Sequence, residues 1–290
     1  MTDAAHVIDV GFAGNRVRIV TDSARAADAV HFLFGPHRVS DGVPAGRQIV
    51  LAEDPERGGF VMACDGRFAS SAREDELELA LVQLVQYHLV ADASDVGLFH
   101  AGALVRDARV LLLAADSGSG KTTLTASLLA EGYDFLSDEV SAVDAAGCVD
   151  GFSRPLNVKP GSLPLLRSLP ALRTGFANSR LSGGVTLVPW PRSAQSGMPL
   201  ALVLLPEYRA GAALEIEQPS PGRAAAALMG CLLNARNLPR NGLTLAARLA
   251  ASVPVVRATY SRVEDVHEWL KHADGIVHVP VGPALNEACR

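Results

Sequence analysis

The sequence predicts an α/β protein with a mixed, partly antiparallel sheet and a small N-terminal α+β module, and three observations predict it. First, an apolar run of strand length at 109–114 feeds Ala115-Asp116-Ser117-Gly118-Ser119-Gly120-Lys121-Thr122-Thr123, and a helical stretch at 124–131 follows and closes at Gly132. Second, a strand-like run at 98–105 lies just upstream, separated only by Arg106-Asp107-Ala108-Arg109. That gap suits a hairpin and is too short for a crossover helix, so the loop's strand is entered from an antiparallel neighbour. Third, short apolar stretches broken by Gly, Pro and Asp fill the chain up to about residue 68, as in a strand-rich unit.

The elements follow in order. Within the N-terminal unit, 17–20, 48–51 and 59–62 read as strands. Residues 71–91 change character: Leu77, Leu81, Leu84, Val85 and His88 recur at helical spacing, with acidic residues in the first turns. This predicts a long connecting helix and a boundary between a module at 1–93 and a second domain at 94–290. After the loop's helix, 133–137 is a short strand ending in Asp138-Glu139, and 140–152 is a hairpin turning at Ala145-Ala146-Gly147. Residues 154–159 lead through Pro160-Gly161 into a helical segment near 163–169. A buried strand at 199–205, helices at 222–234 and 243–252, a strand at 253–258 and a helix at 263–272 complete the chain.

Composition bounds the function classes. At 290 residues, 49% hydrophobic and 20% charged, the chain has ample core and no signature of disorder. A net charge of −5 gives no general affinity for nucleic acid or anionic lipid, and Arg236, Arg240 and Arg248 are the nearest thing to a basic patch. Cys64, Cys148, Cys231 and Cys289 lie far apart without C-x-x-C spacing, which argues against a zinc site or a disulfide framework and suits a reducing cytosol. The first residues carry neither a basic start nor an apolar signal core, and no uninterrupted apolar stretch reaches spanning length. The expectation is a soluble, cytoplasmic protein with no nucleic-acid or membrane partner.

The loop at 115–123 carries the chemistry. A strand, a small-residue loop closing in Gly-Lys-Thr, then a helix is the context in which consecutive backbone N–H groups wrap a polyphosphate at a helix N-terminus. Asp116, Ser117, Gly118, Ser119, Gly120, Lys121, Thr122 and Thr123 are the expected ATP-binding residues, with Lys121 on the outer phosphates and Thr122 on Mg²⁺. Ala115 stands where the strict motif has glycine, and an acid at position 116 beside a triphosphate is repulsive unless a cation intervenes. Asp138 and Glu139 end a strand shortly after the loop's helix, where a metal-orienting or proton-accepting carboxylate belongs. Side chains alternate along extended chain, so the two acids are expected to face different ways. His100 closes an apolar strand, where a lone histidine is as a rule a satisfied core residue. Arg154 and Lys159 could neutralise substrate or transition-state charge, or lie on a solvated strand.

The run His100-Ala101-Gly102, the loop with Asp116-Ser117-Gly118 and Gly120-Lys121-Thr122, and Gly132-Tyr133 followed by Leu136-Ser137-Asp138-Glu139 together resemble the HPr kinase/phosphorylase family. The likeness is greatest to the HPr-kinase-related kinases found with lasso peptide biosynthesis. It spans roughly residues 100–140, with weaker similarity through 154–162 and 202–205. The resemblance implies a P-loop kinase core similar to phosphoenolpyruvate carboxykinase. It implies Asp138 as general base on a serine hydroxyl, Glu139 and Thr122 at magnesium, and His100 close to the reacting groups. Two departures from the family pattern stand out: Glu139 occupies the place of a second aspartate, and the glycine-rich signature that follows later in HPr kinases is missing. HPr is therefore not the expected substrate. The expectation is an ATP- and Mg²⁺-dependent kinase acting on a hydroxyl, above all a serine of a peptide or small protein. A small-metabolite kinase and a non-catalytic ATP-binding regulatory protein are the alternatives.

Overall fold

A computed structural model describes residues 5–40, 45–56, 58–116, 118–190 and 194–273. The chain is α/β with mixed sheets. The first sheet holds β1 (His6–Phe12), β2 (Asn15–Thr21), β3 (Arg47–Asp54), β4 (Gly59–Cys64) and β5 (Arg67–Arg73) in that spatial order. The β2–β3 pair is parallel and the other pairs antiparallel. The parallel pair requires a crossover, and helix α1 (Ala24–Phe34) follows β2. Sequence reading missed α1. Its signals are present: Ser23 accepts from the Ala26 N–H as an N-cap, and Ala26, Ala27, Ala29, Val30 and Leu33 form a buried stripe. Helix α2 (Leu77–Ala91) begins six residues later than the predicted start at 71, because Ser70 and Ser71 pair with Met62 and Val61 as part of β5.

The second part of the chain continues with β6 (Gly97–Arg106), β7 (Arg109–Ala114), α3 (Lys121–Ala130), β8 (Asp134–Ser137), β9 (Val140–Val143), β10 (Cys148–Gly151) and β11 (Leu156–Val158). Then come α4 (Leu163–Ser168), α5 (Arg173–Ala177), β12 (Arg180–Ser182), β13 (Val185–Val188), β14 (Met198–Tyr208), β15 (Glu215–Glu217), α6 (Pro221–Gly230), α7 (Leu243–Ser252), β16 (Val255–Tyr260) and α8 (Val263–His272). An eight-stranded sheet runs β10-β9-β6-β7-β14-β16-β15, with β8 also on β6. Strands β7, β14 and β16 are parallel neighbours, whereas β6 and β7 form the expected antiparallel hairpin. The hairpin turns at Asp107 and Ala108, both at positive φ (51° and 56°), as a tight two-residue turn requires. A small sheet, β11-β13-β12, packs beside α3.

The first sheet and its helices share one apolar core with Leu98, Val140, Phe152 and Leu187 from the second part. Polar contacts reinforce the join. The Glu78 carboxylate on α2 is buried and ion-paired to Arg25 at 2.7 Å and to Arg180 of β12 at 3.4 Å. Arg180 also reaches Asp28 at 2.8 Å and stacks over the Phe32 ring. Three of the cysteines fall on described residues: Cys64 and Cys231 are free, and Cys148 is disulfide-bonded, a departure from the expected set of unpaired thiols. Among the described residues, no helix is long and apolar enough to cross a membrane.

His37 sits at the same join, its ring 4.6 Å from that of Phe152 and 5.8 Å from that of Phe12. Its Nε2 is buried without a hydrogen-bond partner among the described residues. Burial pulls its pKa from 6.5 down to about 4. Because the folded pKa lies below the unfolded one, the neutral ring's contribution is complete above pH 6.5 and is lost as pH falls toward 4. Relative to His37→Phe, the wild-type protein is expected to lose about 3 kcal/mol of unfolding free energy across that window. Denaturant titrations of both proteins from pH 7 to pH 4 check this. Parallel curves would remove the assignment.

Candidate active site

The site assembles at the C-terminal end of β7, where the chain turns into α3. Gly118 and Gly120 take φ of 91° and 92°, a region that side-chain-bearing residues avoid. A Cβ at Gly120 would also stand 2.7 Å from the Tyr260 hydroxyl, so glycine is doubly required there. Leu124 N–H bonds back to the Gly120 carbonyl and begins the α3 ladder. The Lys121 side chain is buried and its ammonium donates to the carbonyls of Ala115 and Asp116 (3.1 Å to the latter), with His100 Nε2 at 2.9 Å. Burial lowers its pKa, against the pull of Glu139 and Asp138. The two unusual letters thus act through their carbonyls in holding Lys121, and the Asp116 carboxylate is on an exposed residue. Ser119 belongs to the same loop, its N–H bonded to the Asp116 carbonyl at 3.3 Å. Ser117 lies outside the described residues.

The paired acids sit in the break between β8 and β9, which run along the same edge of β6. Ser137 stitches that break. Its hydroxyl donates to the Val140 carbonyl at 2.7 Å and accepts from the N–H groups of Glu139 and Val140. Gly102 opposite leaves room for it: a Cβ there would meet Thr125 Oγ1 at 2.9 Å and the Ser137 carbonyl at 3.5 Å. The alternation expected for the acids holds. Asp138 is fully buried, and Glu139 faces the cavity with its side chain 26% exposed.

Their electrostatics diverge accordingly. Thr122 Oγ1 donates to Asp138 Oδ2 at 3.2 Å and the Asn157 N–H approaches the same oxygen at 3.4 Å, while Oδ1 has no partner among the described residues. Burial, then the charge of Glu139, pushes the Asp138 carboxyl up to about 6. Glu139 is gripped on both sides, by His100 Nδ1 at 3.1 Å and by the buried Arg154 at 3.2 Å. Burial works against its ionisation, but the His100 hydrogen bond and the Arg154 charge prevail and bring it to about 2. His100 thus bridges Lys121 and Glu139. It lies inside β6, where pairing switches from β9 to β8, and not at a strand end as expected.

The segment 154–162 covers the remaining side. Thr123 and Ser162 hydroxyls meet at 2.7 Å, tying it to the first turn of α3. Lys159 is exposed and lines the cavity, unlike Arg154, which is buried against Glu139. Sequence reading missed Ser137, Asn157, Tyr208 and Tyr260. Asn157 has a buried side-chain oxygen without a partner among the described residues, and Tyr260 a buried hydroxyl in the same condition. Ser137 and Asn157 adjoin suspected residues in the sequence, whereas nothing beside Tyr208 or Tyr260 signals them.

The cavity of about 740 Å³ is lined by Lys121, Thr122 and Thr123 of the loop together with Glu139, Lys159, Tyr208 and Arg262. No cluster of three or more His, Cys, Asp or Glu side chains suited to a metal occurs among the described residues. A hard cation that keeps waters and phosphate oxygens needs only one or two protein donors, and the Thr122 hydroxyl with the Glu139 carboxylate, both lining the cavity, fits that requirement. Neither a scan against protein-family models nor a search of curated proteins returns a match for this chain.

Proposed function

We propose that the chain is an ATP- and Mg²⁺-dependent kinase that phosphorylates a hydroxyl, with a serine of a peptide or small protein as acceptor. The observation carrying this reading is the convergence of a phosphate-loop lysine, a hydroxyl at the start of its helix, a carboxylate on the cavity wall and a second carboxylate buried behind that hydroxyl. In this reading residues 94–290 form a P-loop kinase core of the phosphoenolpyruvate carboxykinase type, related to the HPr kinases, and residues 1–93 form an accessory module in a cytoplasmic protein.

Phosphoryl transfer asks mainly for positioning and charge neutralisation. Lys121 exchanges the Ala115 and Asp116 carbonyls for outer phosphate oxygens, a move its long stem permits. Magnesium, when bound, offsets phosphate charge, and the Thr122 hydroxyl together with Glu139 would hold it. The acceptor oxygen attacks the terminal phosphorus, the bond to the bridging oxygen breaks, and ADP leaves. Asp138 takes the acceptor's proton through its free oxygen, and Lys159 offsets charge at the acceptor end. Arg154 fixes Glu139 and does not reach the cavity itself. His100 holds Lys121 and Glu139 in register as a positioning residue.

A second reading rests on the Thr122–Asp138 contact, which favours Asp138 as the carboxylate on the metal side and gives the hydroxyl to the Glu139–His100 pair. Incubating the protein with Mg²⁺-ATP and serine-bearing peptides, then small hydroxyl metabolites, tests the class as a whole. The expected result is a peptide that gains the mass of one phosphoryl group. Phosphorylation of metabolites alone would shift the acceptor class, and ATP binding without transfer to any acceptor would favour a regulatory protein.

A further inference from the structure

We infer that the part of the cavity built by Tyr208 and Tyr260 is a nucleoside subsite, with the base against the Tyr208 ring and the Tyr260 hydroxyl donating to a sugar oxygen. This rests on the triphosphate reading above and deepens it.

The direction of the bound molecule follows from which groups adjoin which part of the loop. His100 contacts the Lys121 ammonium and Glu139, next to the Thr122–Asp138 pair, and these supply the groups that terminal-phosphate chemistry needs. Tyr208 and Tyr260 adjoin Ser119 and Gly120 instead, and line the cavity with Val263 and Arg262. The carboxylate there, Glu264, is 3.7 Å from Arg262 and exposed. A triphosphate laid along the loop with its terminal group at Lys121 and the acids puts its organic part toward Ser119, Gly120 and the tyrosines.

The tyrosines abut the loop itself. Tyr208 N–H bonds to the Ser119 carbonyl at 3.1 Å, and Tyr208 Cβ lies 3.2 Å from where a Gly120 Cβ would stand. The two rings meet edge-on at 6.2 Å and 76°. They differ in exposure: Tyr208 is 54% exposed, whereas Tyr260 is 1% exposed. An exposed ring fixed beside a phosphate loop is a platform on which a base can stack. The Tyr260 hydroxyl gives an independent indication. It is buried, aimed at Gly120, and has no hydrogen-bond partner among the described residues. Such an orphan is costly in a protein interior unless a ligand oxygen completes it. Burial also raises the phenol's pKa, so at neutral pH it is a donor.

Calorimetric titration of wild type, Tyr208→Ala and Tyr260→Phe with Mg²⁺-ATP and with Mg²⁺-tripolyphosphate separates the possibilities. The Tyr208 side chain is largely outside the core and Tyr260→Phe keeps its buried ring, so both variants are expected to fold. Tyr208→Ala is expected to weaken ATP binding about tenfold or more, the scale of one stacked base, and Tyr260→Phe by about fivefold, the scale of one lost hydrogen bond. Tripolyphosphate affinity is expected to stay within about twofold of wild type in both, since neither variant removes one of the loop's phosphate donors. Equal weakening of both ligands would make the tyrosines mere props of the loop and overturn the subsite. ATP affinity unchanged in both variants would place the nucleoside elsewhere. If wild type bound neither ligand, the triphosphate reading itself would fall, a result distinct from both.

Discussion

Asp138→Asn is expected to lower the rate of phosphoryl transfer by about 10²–10⁴-fold while leaving ATP affinity near wild type, the loss typical of a missing general base. Asparagine matches aspartate in shape, and its side-chain oxygen can still accept from Thr122, so the local packing survives. Loss of folding is not a competing explanation. The Asp138 carboxyl is held up at about 6 by burial, so its ionised form is a cost to the fold at neutral pH, and a neutral amide relieves that cost. The variant is therefore expected to melt no lower than wild type. Steady-state kinetics, nucleotide titration and a thermal melt on one preparation check all three statements. Unchanged turnover would sink Asp138 as base. If Glu139→Gln gave the larger loss and Asp138→Asn shifted the magnesium requirement instead, the second assignment of the two acids would stand.

Lys121→Ala is expected to weaken Mg²⁺-ATP binding by about tenfold or more and to reduce transfer further, because the lost charge acts on phosphates that carry most charge in the transition state. The buried ammonium is held by two carbonyls of its own loop and by His100. Its removal leaves those carbonyls to water at a cavity that solvent reaches, so the effect is expected in binding and turnover more than in stability. Calorimetry with ATP and the same transfer assay measure it. Affinity and turnover both within about twofold of wild type would remove the triphosphate argument from which the proposal starts.

The elements that were legible in the sequence are those whose signals are local. The hairpin before the loop was forced by a four-residue gap, and α7 and α8 coincide with their predicted spans, 243–252 and 263–272. Helix α1 was lost because a run rich in alanine and interrupted by polar residues carries little apolar contrast between strand-like neighbours. The start of α2 was misplaced because pairing to β4 overrides the helical pattern at Ser70 and Ser71. Among site residues, Lys121, Thr122 and the acids announce themselves by type and spacing. Ser137, Asn157 and Tyr260 do not, since a serine in a strand break, an asparagine in a short strand and a tyrosine at a strand end are ordinary until folding sets them against the same loop.

The amino-acid order alone determined that a glycine-rich loop joins a strand to a helix, that its strand is approached through a hairpin, and that two carboxylates follow at short range. These are properties of neighbouring residues and of backbone geometry. What each side chain can do was decided by the tertiary structure. Burial behind Thr122 raises Asp138, the grip of His100 and Arg154 lowers Glu139, and β14 and β16 bring two tyrosines from about ninety and one hundred and forty residues away to the loop's far side. Desolvation and charge pairing depend on what lies within a few ångströms, and that neighbourhood exists only once distant segments have met.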